Sequence, residues 1–310
     1  MSTPEQTKSG GMSTKRKVLL GIGVWLAGTI VMVVVFGSSG KNASFLPQNE
    51  FKLDPWISIK VAGIDISITK AVLYVVLASL LTCATMIYIA RRMQQRPNKV
   101  QTAVEVLFNL MRDNITRGNM DDAMARKWFP FIGALFLFIM FSNLIGYIPL
   151  PTNTEHEITV FGLHVPAFAL YSATANLSIP LVLALIVWVS YTAEGVRKKG
   201  PLGYLKGLIP AGVHGAMAGM IFILELLSQF MRLISLSVRL FANILAGHLM
   251  ILFFGGALAV LLGVAAIAWF TLPLAIAIFM FEAVLIAGLQ AFIFATLTAI
   301  YLGGAVADHH

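Results

Sequence analysis

Ile234-Ser-Leu-Ser-Val-Arg239-Leu-Phe-Ala-Asn243-Ile-Leu-Ala-Gly247 is an apolar stretch with a guanidinium at its centre, and the nearest other charge is Arg232. Arginine keeps its charge at every accessible pH, and holding it near the middle of a bilayer costs about 2.5–3.5 kcal/mol on insertion scales. A residue kept at that cost usually handles charge. The reading depends on whether the surrounding chain lives in lipid.

It does. The chain has 310 residues, of which 58% are hydrophobic and 12% charged, with a mean hydropathy of +0.84. That is too apolar for a soluble domain of this size and marks a polytopic membrane protein. The net charge of +8 gathers in a few loops, so it reports membrane orientation. No basic face carries interleaved aromatics, which excludes nucleic acid as a partner. Cys83 is the sole cysteine, which leaves neither a disulfide framework nor a metal-type pair, and no cofactor motif appears.

Working outward, residues 1–17 are polar and basic and precede an apolar stretch, 18–36, about as long as the roughly 20 residues that span hydrocarbon. No small-x-small cleavage site follows, so 18–36 reads as an uncleaved helix and not a signal peptide. Apolar and polar residues alternate in Trp56-Ile-Ser-Ile-Lys-Val and Ile64-Asp-Ile-Ser-Ile around Gly63, which predicts a small β-hairpin in an external loop, 37–69. A second span covers 70–90. Residues 98–116 place Val100, Val104, Leu107, Leu110 and Met111 on one side and polar residues on the other, the pattern of an amphipathic helix lying on the membrane surface. A third span is predicted at 128–149 and a fourth at 167–192, joined by a loop at 151–164. Two longer apolar stretches, 213–262 and 264–303, exceed an upright crossing and must tilt or bend.

Lysine and arginine are dense in 1–17, 91–127 and 194–206 and absent from 149–166. The positive-inside rule therefore puts the first three in the cytoplasm. The predicted fold class is an all-α polytopic membrane protein with about six membrane helices, a surface helix at 98–116 and two long, tilted C-terminal helices. No internal repeat appears, so a transporter built on inverted repeats gains no support.

At about 100° per residue, Glu225, Ser228, Arg232, Ser235, Arg239, Asn243 and Ala246 fall within an arc of about 80°. Buried serines and asparagines in such a seam can simply satisfy one another. Arg239 cannot be satisfied that way, because no acidic residue lies within four positions. Its neighbours Ser235, Ala242, Ala246 and Gly247 are small, which lets a second helix approach and bring an anion. Arg232, nearer the cytoplasmic end, is expected to snorkel to headgroups. His248 lies nine positions past Arg239, about 180° around the helix. Glu282 and Gln290 are polar in an otherwise apolar segment. A membrane-embedded His and Glu can each accept and release a proton, so these groups read as part of a proton path. A metal site is disfavoured by the spacing.

Leu236-Ser-Val-Arg-Leu-Phe-Ala-Asn-Ile-Leu-Ala-Gly-His248 closely resembles subunit a of the F-type ATP synthase, the stator of a membrane rotary motor. Phe141-Ser-Asn-Leu-Ile-Gly-Tyr-Ile-Pro149, Ala173-Thr-Ala-Asn-Leu-Ser178, Glu225-Leu-Leu-Ser228 and the stretch from Gln290 to Leu302 extend the resemblance. It covers most of the chain, with 70–310 as the subunit a membrane domain and 18–36 as an addition.

The resemblance implies a non-catalytic, multi-pass subunit of a bacterial plasma membrane, packed against a ring of c subunits and contacted by the b subunits of the peripheral stalk. It implies two half-channels for H⁺, favoured over Na⁺. Arg239 corresponds to the family's essential arginine. Asn243, His248, Glu282 and Gln290 fall on the inlet side, and Glu225, Ser228 and Ser235 on the outlet side. Many bacterial members carry Glu where this chain has His248 and His near Glu282, so the pair looks exchanged. Glu282 precedes Gln290 by eight residues where the family usually has seven, a turn of about 100° in a regular helix. The competing reading is a stand-alone secondary transporter or proton channel.

Overall fold

The computed structural model describes residues 13–36, 53, 55–61, 64–65, 67–92, 98–160, 163–209, 213 and 215–307. Residues 1–12 of the basic tail, 37–52 of the external loop, the turn at Gly63 and the closing residues 308–310 lie outside these. Six helices are long and apolar enough to cross a membrane among the described residues, as the sequence predicts. The chain divides into two compact units, Met1–Pro47 with Met250–Ala277, and Gln48–Leu249 with Ile278–His310.

In the smaller unit, α1 (Thr14–Phe36) has no polar face, and Val24 and Val34 are more than 70% exposed, as suits a helix whose solvent is lipid. An indole N–H needs an acceptor there. Trp25 Nε1 donates to the Trp269 carbonyl at 3.2 Å and Trp269 Nε1 to the Trp25 carbonyl at 3.3 Å. The Trp25 ring also stacks on Phe270 at 5.1 Å. Trp269 belongs to α9 (Ala265–Phe281), which follows a short α8 (Leu258–Leu262).

The larger unit begins with the predicted hairpin, in which β1 (Pro55–Ile57) pairs with β4 (Ile68–Thr69) around β2 (Lys60–Val61) and β3 (Ile64–Asp65). Next come α2 (Lys70–Arg92) and the amphipathic α3 (Lys99–Asn109), whose start is capped by Asn98 accepting from the Gln101 N–H at 2.8 Å. The helix widens into a π segment over Leu110–Arg117. Met111, Ile115 and Thr116 are buried there, while Arg112 and Arg117 pair outside with Asp113 at 3.0 and 3.4 Å. The hydrogen bond from Arg112 holds the Asp113 carboxyl below its usual range.

α4 (Asp122–Ile145), α5 (Ser178–Lys199), α7 (Ala216–Leu252) and α10 (Ala287–Val306) build the core. Ile132, Phe136 and Ile139 meet Ala184 and Val187, Leu236, Leu240 and Ile244, and Phe294 and Leu302 in one cluster. On α10 the inward face is rich in alanine (Ala287, Ala291, Ala295, Ala299, all 0% exposed), which lets backbones approach where no hydrophobic effect drives helices together. Lys198 and Lys199 of α5 donate to the carbonyls of Val306 and Ala307 at 2.9 and 2.7 Å, neutralising the end of α10. Lys127 pairs with the buried Glu194. A short α6 (Pro201–Lys206) follows α5.

Two expectations are corrected. Residues 151–164 are not a plain loop, since β5 (Leu150–Val160) and β6 (Leu163–Ala169) pair as an antiparallel hairpin. For the same reason the fourth span starts at Ser178 and not at 167: residues up to Ala169 belong to the sheet, and a single 3₁₀ turn, Ala173–Ala175, intervenes.

Candidate functional site

α7 carries most of the singled-out residues, and its two sides differ. Leu236, Leu240, Ile244 and His248 are buried, spaced four apart along the side packed into the core. The opposite side holds the polar seam. Ser235, Arg239, Ala242 and Ala246 are exposed, and Glu225, Ser228, Arg232 and Asn243 are half-buried. Among the described residues no hydrogen bond or ion pair reaches Arg239. Exposed Ile234 and Val238 border the seam, so the guanidinium stands on the outer side of α7 with apolar residues beside it.

A polar cluster lies on each side of Arg239 along the helix. About 21 Å toward the N-terminus, at 1.5 Å per residue, Glu225 accepts from Arg232 at 3.3 Å and from Gln229 at 3.4 Å. Tyr191 of α5 donates to Gln229 at 2.6 Å, and Arg232 lies over the ring of Tyr301, 5.6 Å from its centroid. Glu225 is two helical turns before Arg232, within reach of a long side chain, so Arg232, expected to snorkel, has an ion-pair partner within the chain.

The second cluster is buried and centres on His248, about 14 Å beyond Arg239. His248 is 2% exposed, with Nδ1 at 3.0 Å from the Ile244 carbonyl and Nε2 at 3.1 Å from that of Gly146. Carbonyls only accept, and a neutral imidazole has one N–H, so each neutral tautomer donates to one of the two carbonyls. Tyr147, in the turn after α4, lies 4.9 Å from the His248 ring and donates to Glu282 Oε2 at 3.3 Å. Beside it, Asn143 donates to the Ala287 carbonyl at 3.3 Å and accepts from Thr174 at 2.7 Å. The Ser172 hydroxyl lies 2.8 Å from that of Thr174 and 3.0 Å from the Ser142 carbonyl, and its single proton serves one of the two.

Glu282 opens a π turn, Glu282–Ile286, in which the Ala287 N–H reaches back five residues to the Glu282 carbonyl. Eight residues of regular helix would set Glu282 about 80° away from Gln290. The wide turn absorbs one residue, and both side chains face inward, 8% and 6% exposed. The rotation expected from the eight-residue spacing is therefore cancelled. Gly247 makes room for the carboxyl, since a Cβ there would overlap the Glu282 head group. Among the described residues no three metal-ligating side chains converge on one point.

Reasoning from sequence missed Tyr147 and the Ser142–Asn143–Ser172–Thr174 network as members of this cluster. All but Ser172 stand in the quoted motifs, but a Tyr beside a helix end and two small hydroxyls give no periodic signal.

Fold and site define a multi-pass α-helical membrane protein with ionisable groups within its two long C-terminal apolar segments. Residues 72–303 match the ATP synthase A chain family. The chain is 35% identical over 268 residues to ATP synthase subunit a of Pelagibacter ubique, covering 85% of this chain and 98% of that protein. It is 33% identical over 275 residues to the subunit a of Parvibaculum lavamentivorans, with 85% and 94% covered. Against that of Rubrobacter xylanophilus it is 35% identical over 248 residues, with 79% and 87% covered. The chain belongs to the ATP synthase A chain family, and α1 lies outside the matched residues.

Proposed function

We propose that this chain is the proton-conducting stator of a rotary F-type ATP synthase in a bacterial plasma membrane, and that it catalyses no reaction itself. Its partners are a ring of c subunits, the b subunits of a peripheral stalk, and lipid. The observation that carries this reading is the placement of Arg239. It is charged, without a partner among the described residues, and exposed between two separate polar clusters at different depths.

The division of labour follows from that placement. Protons enter from the outside through the cluster of His248, Glu282 and Gln290, pass Asn243 on the outer side of α7, and load a carboxylate on the ring. After rotation the carboxylate releases its proton through Glu225, Ser228 and Ser235 toward the cytoplasm, where the basic loops lie. Arg239 favours the ionised carboxylate as it passes and blocks direct proton transfer between the two paths. Its small neighbours Ala242 and Ala246 let the ring helix come close. Arg232 holds Glu225 in place. One charge crossing 100 mV yields about 2.3 kcal/mol, so several such steps must be summed for each ATP made elsewhere in the complex. The segment 70–310 is the stator domain, and α1 is an addition to it.

The test is proton flux from liposomes. The purified chain alone is expected to conduct at the background of protein-free vesicles, and the chain assembled with its ring to conduct under an imposed potential. Flux through the chain alone, unchanged by adding the ring, would mean a stand-alone channel or transporter.

A further inference from the structure

The turn after α4 touches both titratable groups of the buried cluster through consecutive residues. The Gly146 carbonyl meets His248 Nε2 at 3.1 Å. The Tyr147 hydroxyl donates to Glu282 Oε2 at 3.3 Å, and the Tyr147 ring lies 4.9 Å from the imidazole. Phe279 packs edge-on against the same ring at 5.8 Å and adds no charge. Tyr147 itself is 4% exposed. Among the described residues, the titratable groups facing it are His248 from α7 and Glu282 from the π turn.

We propose that Tyr147 is a positioning residue of the inlet: its hydroxyl holds the Glu282 carboxyl against Gly247 in the orientation in which it takes up and releases the inlet proton. This rests on the proposed role of Glu282. The geometry supports a specific task for the hydroxyl. A Glu side chain has three rotatable bonds, and no other side chain among the described residues donates a hydrogen bond to this carboxyl. With the hydroxyl gone, no side-chain hydrogen bond among the described residues fixes the carboxyl where it lies against Gly247. The ring alone would still fill the space between His248 and Phe279, so packing and orientation are separable.

Tyr147→Phe removes the hydroxyl and keeps the ring. In the assembled complex, with the amount of assembled enzyme measured in parallel, Tyr147→Phe is expected to lower ATP-driven proton pumping by roughly 10-fold, the weight of one hydrogen bond to a charged group. It should also displace the pH profile of passive conduction. Added to Glu282→Gln, it should produce no further loss. Wild-type rate and profile in Tyr147→Phe beside an inactive Glu282→Gln overturn the role of Tyr147 alone. Normal pumping by Glu282→Gln removes both this proposal and the inlet role on which it rests. An equal further loss in the Glu282→Gln background shows that the hydroxyl acts independently of Glu282, which also overturns it. Should Tyr147→Phe fail to assemble, difluorotyrosine at 147 keeps ring and hydroxyl, strengthens the donor and should displace the profile; an unchanged profile counts against the proposal.

Discussion

Arg239→Ala is expected to reduce ATP-driven proton pumping by at least about 100-fold in the assembled complex, with the subunit still in the membrane and ATP hydrolysis still measurable. A guanidinium about 4 Å from a carboxylate contributes about 4 kcal/mol at an effective dielectric of 20. Losing that bias on a group that must ionise once per step corresponds to roughly a thousand-fold, and alanine leaves nothing to supply it. Among the described residues Arg239 makes no hydrogen bond or ion pair within the chain, so its removal breaks no internal contact and assembly should survive. Arg239→Lys keeps a charge but loses the planar fork, and only partial recovery is expected. Quenching of a pH-sensitive dye in inverted vesicles, normalised to assembled enzyme, measures all three proteins. Pumping at the wild-type rate in Arg239→Ala would remove both the residue's role and the mechanism.

Gly247→Ala should reduce proton flux on the order of 100-fold, the cost of misplacing a reacting group by about an ångström. The added methyl would occupy space now filled by the Glu282 carboxyl. That carboxyl is the far end of a flexible side chain, so it can swing aside, but then it leaves Tyr147. The backbone gains about 1 kcal/mol of helix propensity from the exchange of Gly for Ala. The expected signature is therefore a melting temperature in detergent that is unchanged or slightly raised, together with lost conduction. A lowered melting temperature with proportionate loss of assembled enzyme would instead assign Gly247 to packing alone.

Much of this was legible in the chain. The spans followed from runs of apolar residues, and the hairpin at 55–69 from strict alternation around Gly63. The opposition of Arg239 and His248 followed from a regular 3.6-residue period, and the structure keeps it because α7 is unbroken from Ala216 to Leu252. Where the period fails, so does the reading. A fixed repeat turns Glu282 away from Gln290 because a one-residue π insertion is invisible to it, although two polar residues that a regular repeat sets apart in an apolar helix are a usable hint. The hairpin at 150–169 was hidden by Pro151, Pro166 and its acidic residues, which mark loops more often than strands. Glu225 and Arg232, seven apart, were close enough to be paired on paper, but each was weighed separately. The buried network around Asn143 depends on the convergence of three segments distant in sequence, which no local pattern encodes.

The proposed function turns on the claim that the exposed side of α7 around Arg239 meets a helix of the ring next to its carboxylate. The most direct measurement is disulfide formation between a cysteine at Ala246, exposed and two helical turns from Arg239, and a cysteine placed beside the ring carboxylate, in membranes containing the assembled complex. Rapid cross-linking from Ala246 or Ala242, with none from a cysteine at the exposed Leu181 of α5, is the predicted result. No cross-link from either alanine, or cross-linking only from Leu181, would contradict it.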